Sequence, residues 1–192
     1  MSENKKTEIQ RLEILRLSNE ESNRITKMCL ESALILLMKD KYFQNISITD
    51  VVNRAGVSRT AYYRNYKSKE DILQRMMHEV IDNVFNAMNL RIPIENTQKY
   101  WYGLFYAVEK HSDIFLVLLK ANFGDTILQE IYKKMQSYIP QASIQSTYQS
   151  FFWSGAIYSV LATWLRKDMK PTAEEMAVIC YNIINGMGDC NS

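Results

Sequence analysis

Apolar side chains return along most of this chain at intervals of three and four residues, the period of a helix with one buried face. From Ile25 they recur at Met28, Cys29, Ala33, Leu36 and Leu37, which predicts a helix ending near Lys41. Ser47-Ile-Thr-Asp50 has the form of a capping box: the Ser47 hydroxyl can accept from the Asp50 amide while the Asp50 carboxylate reaches back. It opens a short helix to about Ala55, stopped by Gly56, and a second short helix follows from about Arg59 to Tyr66. Ser68-Lys-Glu-Asp71 reads as another capping box at the head of a long helix. The stripe of that helix is Ile72, Leu73, Met76, Met77, Val80, Ile81, Val84, Phe85 and Met88, and Pro93 ends it. Further helices are expected at about 97–110, 113–121, 125–138, 146–167 and 172–187, punctuated by Gly124, Pro140 and Pro171. No alternating strand pattern and no internal repeat stands out. The chain is predicted to be all-α, with a boundary inside the long helix near residue 75.

Composition agrees with that picture and narrows the chemistry. Of 192 residues 47% are hydrophobic and 23% charged, with only 6 Gly and 3 Pro, enough apolar material for a core and too few breakers for a sandwich or a disordered chain. Net charge is +2, yet residues 41–69 carry Lys41, Arg54, Arg59, Arg64, Lys67 and Lys69 against the single acid Asp50. One end therefore has a cationic face. Cys29, Cys180 and Cys190 form no CxxC pair, and with only His78 and His111 beside them no metal site and no cofactor is expected. The odd cysteine count suits a reducing compartment. MSENKKTEIQ lacks the apolar region of a signal peptide, and runs such as Ala33–Met38 fall far short of the roughly 20 residues of a membrane span, so a cytoplasmic protein without a membrane partner is expected. No nucleophile–base pair, phosphate-cradling glycine loop or paired-carboxylate cleft is visible, and Glu174-Glu175 suits a helix start. No catalytic residue is expected, and the chain does not read as an enzyme.

Residues 1–17 leave two readings open. Ile9, Leu12, Ile14, Leu15 and Leu17 could add helical turns, while Lys5, Lys6 and Arg11 could form a basic arm.

The informative stretch is Ile48–Ile72, ITDVVNRAGVSRTAYYRNYKSKEDI. Two short helices meet at the turn Ala55-Gly56-Val57-Ser58, as a helix-turn-helix requires. The first buries Ile48, Val51, Val52 and Ala55. In the second Tyr62 and Tyr66, four apart, face inward, which turns Arg59, Tyr63, Thr60 and Arg64 outward as a cationic, hydrogen-bonding face able to enter a major groove about 12 Å wide.

Residues Ile25–Ile81 resemble the DNA-binding domain of the TetR family of bacterial transcriptional regulators, and the match from Ile48 to Ile72 runs without a gap. Gly155–Met176 resembles one Firmicute-type subgroup of the family's C-terminal domains. The resemblance implies a helix-turn-helix DNA-binding domain over 18–75, an effector-binding and dimerisation domain over 76–192, and 1–17 as an N-terminal extension. By position it makes Tyr63 and Lys69 phosphate contacts, Ser47 and Thr49 contacts to backbone or base edges, and Arg59 and Thr60 base readers; Arg64 adds a phosphate contact. An Arg can pair bidentately with guanine. Two positions depart from the family pattern. Ala61 replaces the usual Thr, and Asn65 replaces an aromatic or His, where it could read adenine in the groove.

A reader of this type works as a dimer on a palindromic operator in double-stranded DNA, with half-sites about 34–36 Å apart. Gly155, Ser159 and Thr163 fall at i, i+4 and i+8, flanked by Phe152 and Ala156, and Ala177, Cys180 and Ile184 make a second small-to-medium stripe. Family members dimerise through their last two helices, so these residues are the expected homodimer interface. Trp101, Tyr102, Phe105 and Tyr106, with Phe123, Phe151 and Trp153, supply aromatic walls for a small apolar or aromatic effector. The expected function is a ligand-responsive repressor; a co-regulator of the same fold acting through protein–protein interaction is the alternative.

Overall fold

The computed structural model describes residues 2–88, 98–139 and 143–188, and of residues 2–14 and 187–188 the backbone alone. Pro93, Pro140 and Cys190 lie outside the described residues. The described chain is helical, and it divides into two compact units, Met1–Gln74 and Arg75–Ser192.

In the first unit α1 spans Ser2–Asp40, α2 Ile48–Ala55 and α3 Arg59–Asn65, and α4, Lys69–Ala87, begins at its end. The extension is thus part of α1, with Leu15 and Leu17 more than half exposed rather than packed. α1 lies against α2 and α3 and buries Leu30, Ala33, Leu34 and Met38. Ile46, Val51, Val52, Tyr62, Tyr66, Ile72 and Leu73 complete the core. The Tyr66 hydroxyl donates to Glu31 Oε1 of α1 at 2.5 Å, giving that core ring a polar exit. The Tyr62 hydroxyl is buried and has no hydrogen-bond partner among the described residues; burial pushes its pKa up to about 12.

Local chemistry sets the element ends here. Ser47 Oγ accepts from Asp50 N–H at 3.1 Å and the Asp50 carboxylate accepts from Ser47 N–H at 2.9 Å, the reciprocal box read from the sequence. Gly56 closes α2 at φ 67°, a left-handed conformation that L side chains resist. Ser58 caps α3 through the Ala61 amide. At α4, Ser68 Oγ accepts from Asp71 N–H at 3.1 Å, but the Asp71 carboxylate accepts from Lys67 N–H, one residue ahead of the cap.

The second unit takes the rest of α4 and five more helices: α5 Gln98–Glu109, α6 Ser112–Lys120, α7 Gly124–Tyr138, α8 Ile144–Arg166 and α9 Ala173–Gly188. α5 packs on α9, α7 on α8, and α6 on α5 and α8. Phe105 and Trp164 meet edge to face with centroids 5.0 Å apart, and Trp164 Nε1 donates to the Pro171 carbonyl at 2.6 Å, so a large ring is buried with its one donor satisfied. Buried Ser150 and Ser154 return their hydroxyls to carbonyls one turn back. Glu130, also buried, accepts from Lys133 Nζ at 2.5 Å and lies 3.1 Å from His78 Nδ1. Two caps escape the periodic pattern. Ser143 boxes with Ser146 at α8, and at α9 Glu175 accepts from Thr172 N–H while Thr172 Oγ1 accepts from Glu175 N–H. Among the described residues no helix is long and apolar enough to cross a membrane.

Candidate nucleic-acid interface and effector cavity

α2 and α3 meet through the turn at Gly56 and present one outer surface. Ser47, Thr49, Arg59, Thr60, Tyr63 and Arg64 are all exposed on it. Arg59 Nη2 donates to Thr49 Oγ1 at 2.6 Å, so the guanidinium on α3 is held by the hydroxyl on α2. Tyr63, 59% exposed, stands edge-on to Tyr62 with centroids 5.1 Å apart, which fixes the ring and leaves its hydroxyl outward. The Ser47 hydroxyl is exposed but engaged in its cap, donating to Asp50 at 2.8 Å. The Ser47 amide and hydroxyl, with Lys41 adding to them, hold the Asp50 carboxyl below its ordinary range.

Two expected DNA residues are placed elsewhere. Asn65 is buried, and its amide donates to the Ala61 carbonyl at 2.9 Å; this side chain turns back along its own helix instead of facing a groove. Lys69 is half-buried and donates from Nζ to the carbonyls of Phe43, Gln44 and Ile46 at 2.7, 3.2 and 2.8 Å, with the Phe43 ring centroid 4.5 Å away. An ammonium has three N–H donors, and these carbonyls take all three. Lys69 therefore staples the 3-10 turn Phe43–Asn45, just ahead of α2, to the start of α4.

In the second unit a cavity of about 280 Å³ lies between α5, α8 and α9. Of the expected aromatic wall, Trp101, Phe105 and Trp153 line it. The other four do not. Tyr102 and Tyr106 are partly exposed and stack on each other, Tyr102 beside Glu174 and Tyr106 beneath Lys110. Phe151 stacks on Tyr132 with centroids 4.0 Å apart, and Phe123 precedes α7. A helix with aromatic rows on two sides can turn only one of them inward.

The expected dimer residues also divide. Phe152, Ala156, Cys180 and Ile184 line the cavity, and Ala177 and Cys180 are buried, so the small-residue stripe of α9 is its core side. Phe152, Ser159 and Thr163 are exposed along α8 and Gly155 is partly so; a Cβ built at Gly155 would meet nothing within 4 Å. Val178, Ile179 and Ile183 add exposed apolar surface on α9. The sequence reading missed Leu104, Ile157, Val160, Leu161 and Ile183 as cavity residues. Their helical spacing marked them as apolar without saying what they face. A smaller space of about 40 Å³ lies among α4, α5, α6, α7 and α8.

Comparison with known proteins fits both units. The family model "Bacterial regulatory proteins, tetR family" matches residues 32–76, and "Transcriptional regulator C-terminal region" matches 95–186. A TetR transcriptional regulator from Streptococcus agalactiae 2603V shares the fold with a TM-score of 0.57 at 20% identity, over 88% of this chain and 98% of that one. A transcriptional regulator from Rhodococcus sp. Rha1 superposes with a TM-score of 0.53 at 12% identity, over 82% of this chain and 95% of that one. YxbF of Bacillus subtilis (strain 168), an uncharacterized HTH-type transcriptional regulator, is 18% identical over 170 residues, 81% of this chain. The alignment spans only 44% of that relative's length. With a helix-turn-helix unit, a helical C-terminal unit and a family match in each, the chain belongs to the TetR family of bacterial transcriptional regulators.

Proposed function

We propose that this protein is a dimeric repressor released from a palindromic operator by a small uncharged effector. The observation that carries the reading is the exposed face of α2 and α3, where Thr49 holds the Arg59 guanidinium beside Thr60, Tyr63 and Arg64. Orientation fixed before binding saves the entropy of ordering a long side chain at the groove. Arg59 and Thr60 read base edges, Tyr63 and Arg64 contact phosphates, and Lys69 positions α2 from behind. The seven residues of α3 span about 10 Å, one half-site, so a two-fold partner must supply the second. The exposed stripe Phe152, Gly155, Ser159 and Thr163 is the face on which the partner sits.

The effector occupies the cavity between α5, α8 and α9 and favours the dimer state whose recognition helices no longer match the two half-sites. Release is then a population shift driven by differential affinity. A gel shift with DNA from upstream of the protein's own gene, across a salt series, tests the reading. Binding should weaken steeply as salt rises, because cationic contacts release counterions from the phosphates. Failure to shift any such DNA would instead favour a co-regulator acting through another protein.

A further inference from the structure

Building on the regulatory reading above, we propose that the cavity between α5, α8 and α9 takes an uncharged ligand of about two fused rings and is completed by the second copy of the chain, so that ligand binding and dimerisation reinforce each other. The wall sets the ligand class. Trp101, Phe105, Trp153, Ile157, Leu161 and Cys180 present rings, methyl groups and a thiol, and among the described residues no charged side chain lines the space. An ionised group brought there would lose its hydration without gaining a partner. Size follows from volume: an apolar cavity of about 150 Å³ holds benzene, and this one has about 280 Å³.

The mouth sets the regulation. Phe152 and Ile183 line the cavity and are also 61% and 50% exposed, so they form its rim. Phe152 shares the outer stripe of α8 with Gly155, Ser159 and Thr163, and Ile183 stands one turn from exposed Ile179 on α9. In a single copy the outer edge of the ligand would face water, whereas ligand sites usually bury most of their ligand. The occupant of this face is a second copy: a recognition helix of seven residues reads one half-site, and exposed Phe152, Val178, Ile179 and Ile183 make an apolar patch that a two-fold interface sets against itself. Covering the rim then removes the ligand's remaining apolar surface from water. Linkage is reciprocal, so what the dimer adds to ligand affinity the ligand returns to the dimer.

2-Naphthol, a fluorescent probe of two fused rings that is uncharged at neutral pH, tests this with the full chain. It should bind one per protomer and about ten-fold tighter at protein concentrations where sedimentation shows dimer. With two sites, saturating probe should lower the dimer dissociation constant by about a hundred-fold. Gly155 does not line the cavity and a Cβ there meets nothing within 4 Å, so Gly155→Glu places charge on the face, and its helical circular dichroism checks that the protomer stays folded. It should stay monomeric and bind the probe at least ten-fold more weakly. Ala156→Leu, which takes up part of the cavity, should weaken probe binding several-fold while retaining its helical circular dichroism. Equal probe affinity in monomer and dimer, or an unchanged affinity in Gly155→Glu, overturns the shared site; unchanged binding in Ala156→Leu overturns the cavity as its location. A gel shift of probe-free wild-type protein reads the regulatory function separately, so the two ideas can fail independently.

Discussion

Arg59 on α3 donates to the Thr49 hydroxyl on α2 at 2.6 Å, so the two helices of the helix-turn-helix are joined on their outer, solvent-facing side. The bond spends one of the five guanidinium N–H donors and leaves the others for a base edge. Arg59→Ala should reduce discrimination between operator and mutated operator by about 1–3 kcal/mol, and Thr49→Val should cost less while sharing part of the same loss. A double-mutant cycle on operator affinity measures the shared part. Strict additivity would mean that Thr49 does not orient Arg59.

Lys69 separates structure from contact. If its ammonium holds the carbonyls of Phe43, Gln44 and Ile46, Lys69→Met should cost the free protein roughly 1.5–3 kcal/mol of stability, the worth of a charge-assisted bond, and lower its melting temperature accordingly. Operator affinity would fall with it. An unchanged melt, together with a salt slope reduced by about one, would return Lys69 to the phosphates.

Tyr62 offers a stabilising change. Its hydroxyl is buried without a partner among the described residues, so Tyr62→Phe should leave stability unchanged or raise it by about 1 kcal/mol. The folded pKa is raised to about 12 from an ordinary 10.0. The stability carried by the neutral phenol is therefore full below pH 10 and is lost as pH rises toward 12. Alkaline denaturation of Tyr62→Phe should lack that part of the slope.

Asp50 acts at the opposite end of the pH scale. Its folded pKa lies below the ordinary 3.8, so its stabilisation is present above that value and is lost as pH falls through the lowered one. Asp50→Asn should melt earlier at neutral pH and lose stability less steeply on acidification. Parallel acid titrations of the two proteins by circular dichroism check this.

Gly155→Leu tests the dimer. A Cβ at Gly155 meets nothing within 4 Å and a mid-helix Gly is replaced by a good helix former, so the protomer should fold at low concentration with a melting temperature unchanged or somewhat raised. The new side chain enters the interface twice across the two-fold axis, at about 1–3 kcal/mol per site. Sedimentation should show more monomer, with weaker operator binding alongside. A dimer of unchanged strength would move the interface to another face.

The sequence by itself determined most of the helices and several of their ends, because the forces that make them are local. A period of 3.6 residues, Ser47 reaching Asp50 three residues on, and Gly56 accepting φ 67° all act within one turn of the chain. The same locality explains why the outward direction of Arg59, Thr60, Tyr63 and Arg64 was legible once Tyr62 and Tyr66 were read as inward. Tertiary structure decided everything that depends on which remote group arrives opposite. Position alone matched Lys69 to a phosphate contact, and only the fold brought carbonyls more than twenty residues earlier onto its ammonium. Asn65 looked exposed by analogy, but the core closed over it and left its own helix as the acceptor. The small stripe of α9 and the aromatic rows of α5 were visible as apolar faces, yet periodicity carries no label for what a face packs against. Only the packing of α9 on α5, beside α8, turned Cys180 inward, left Tyr102 and Tyr106 outside, and opened a cavity that draws on both expected sets of residues.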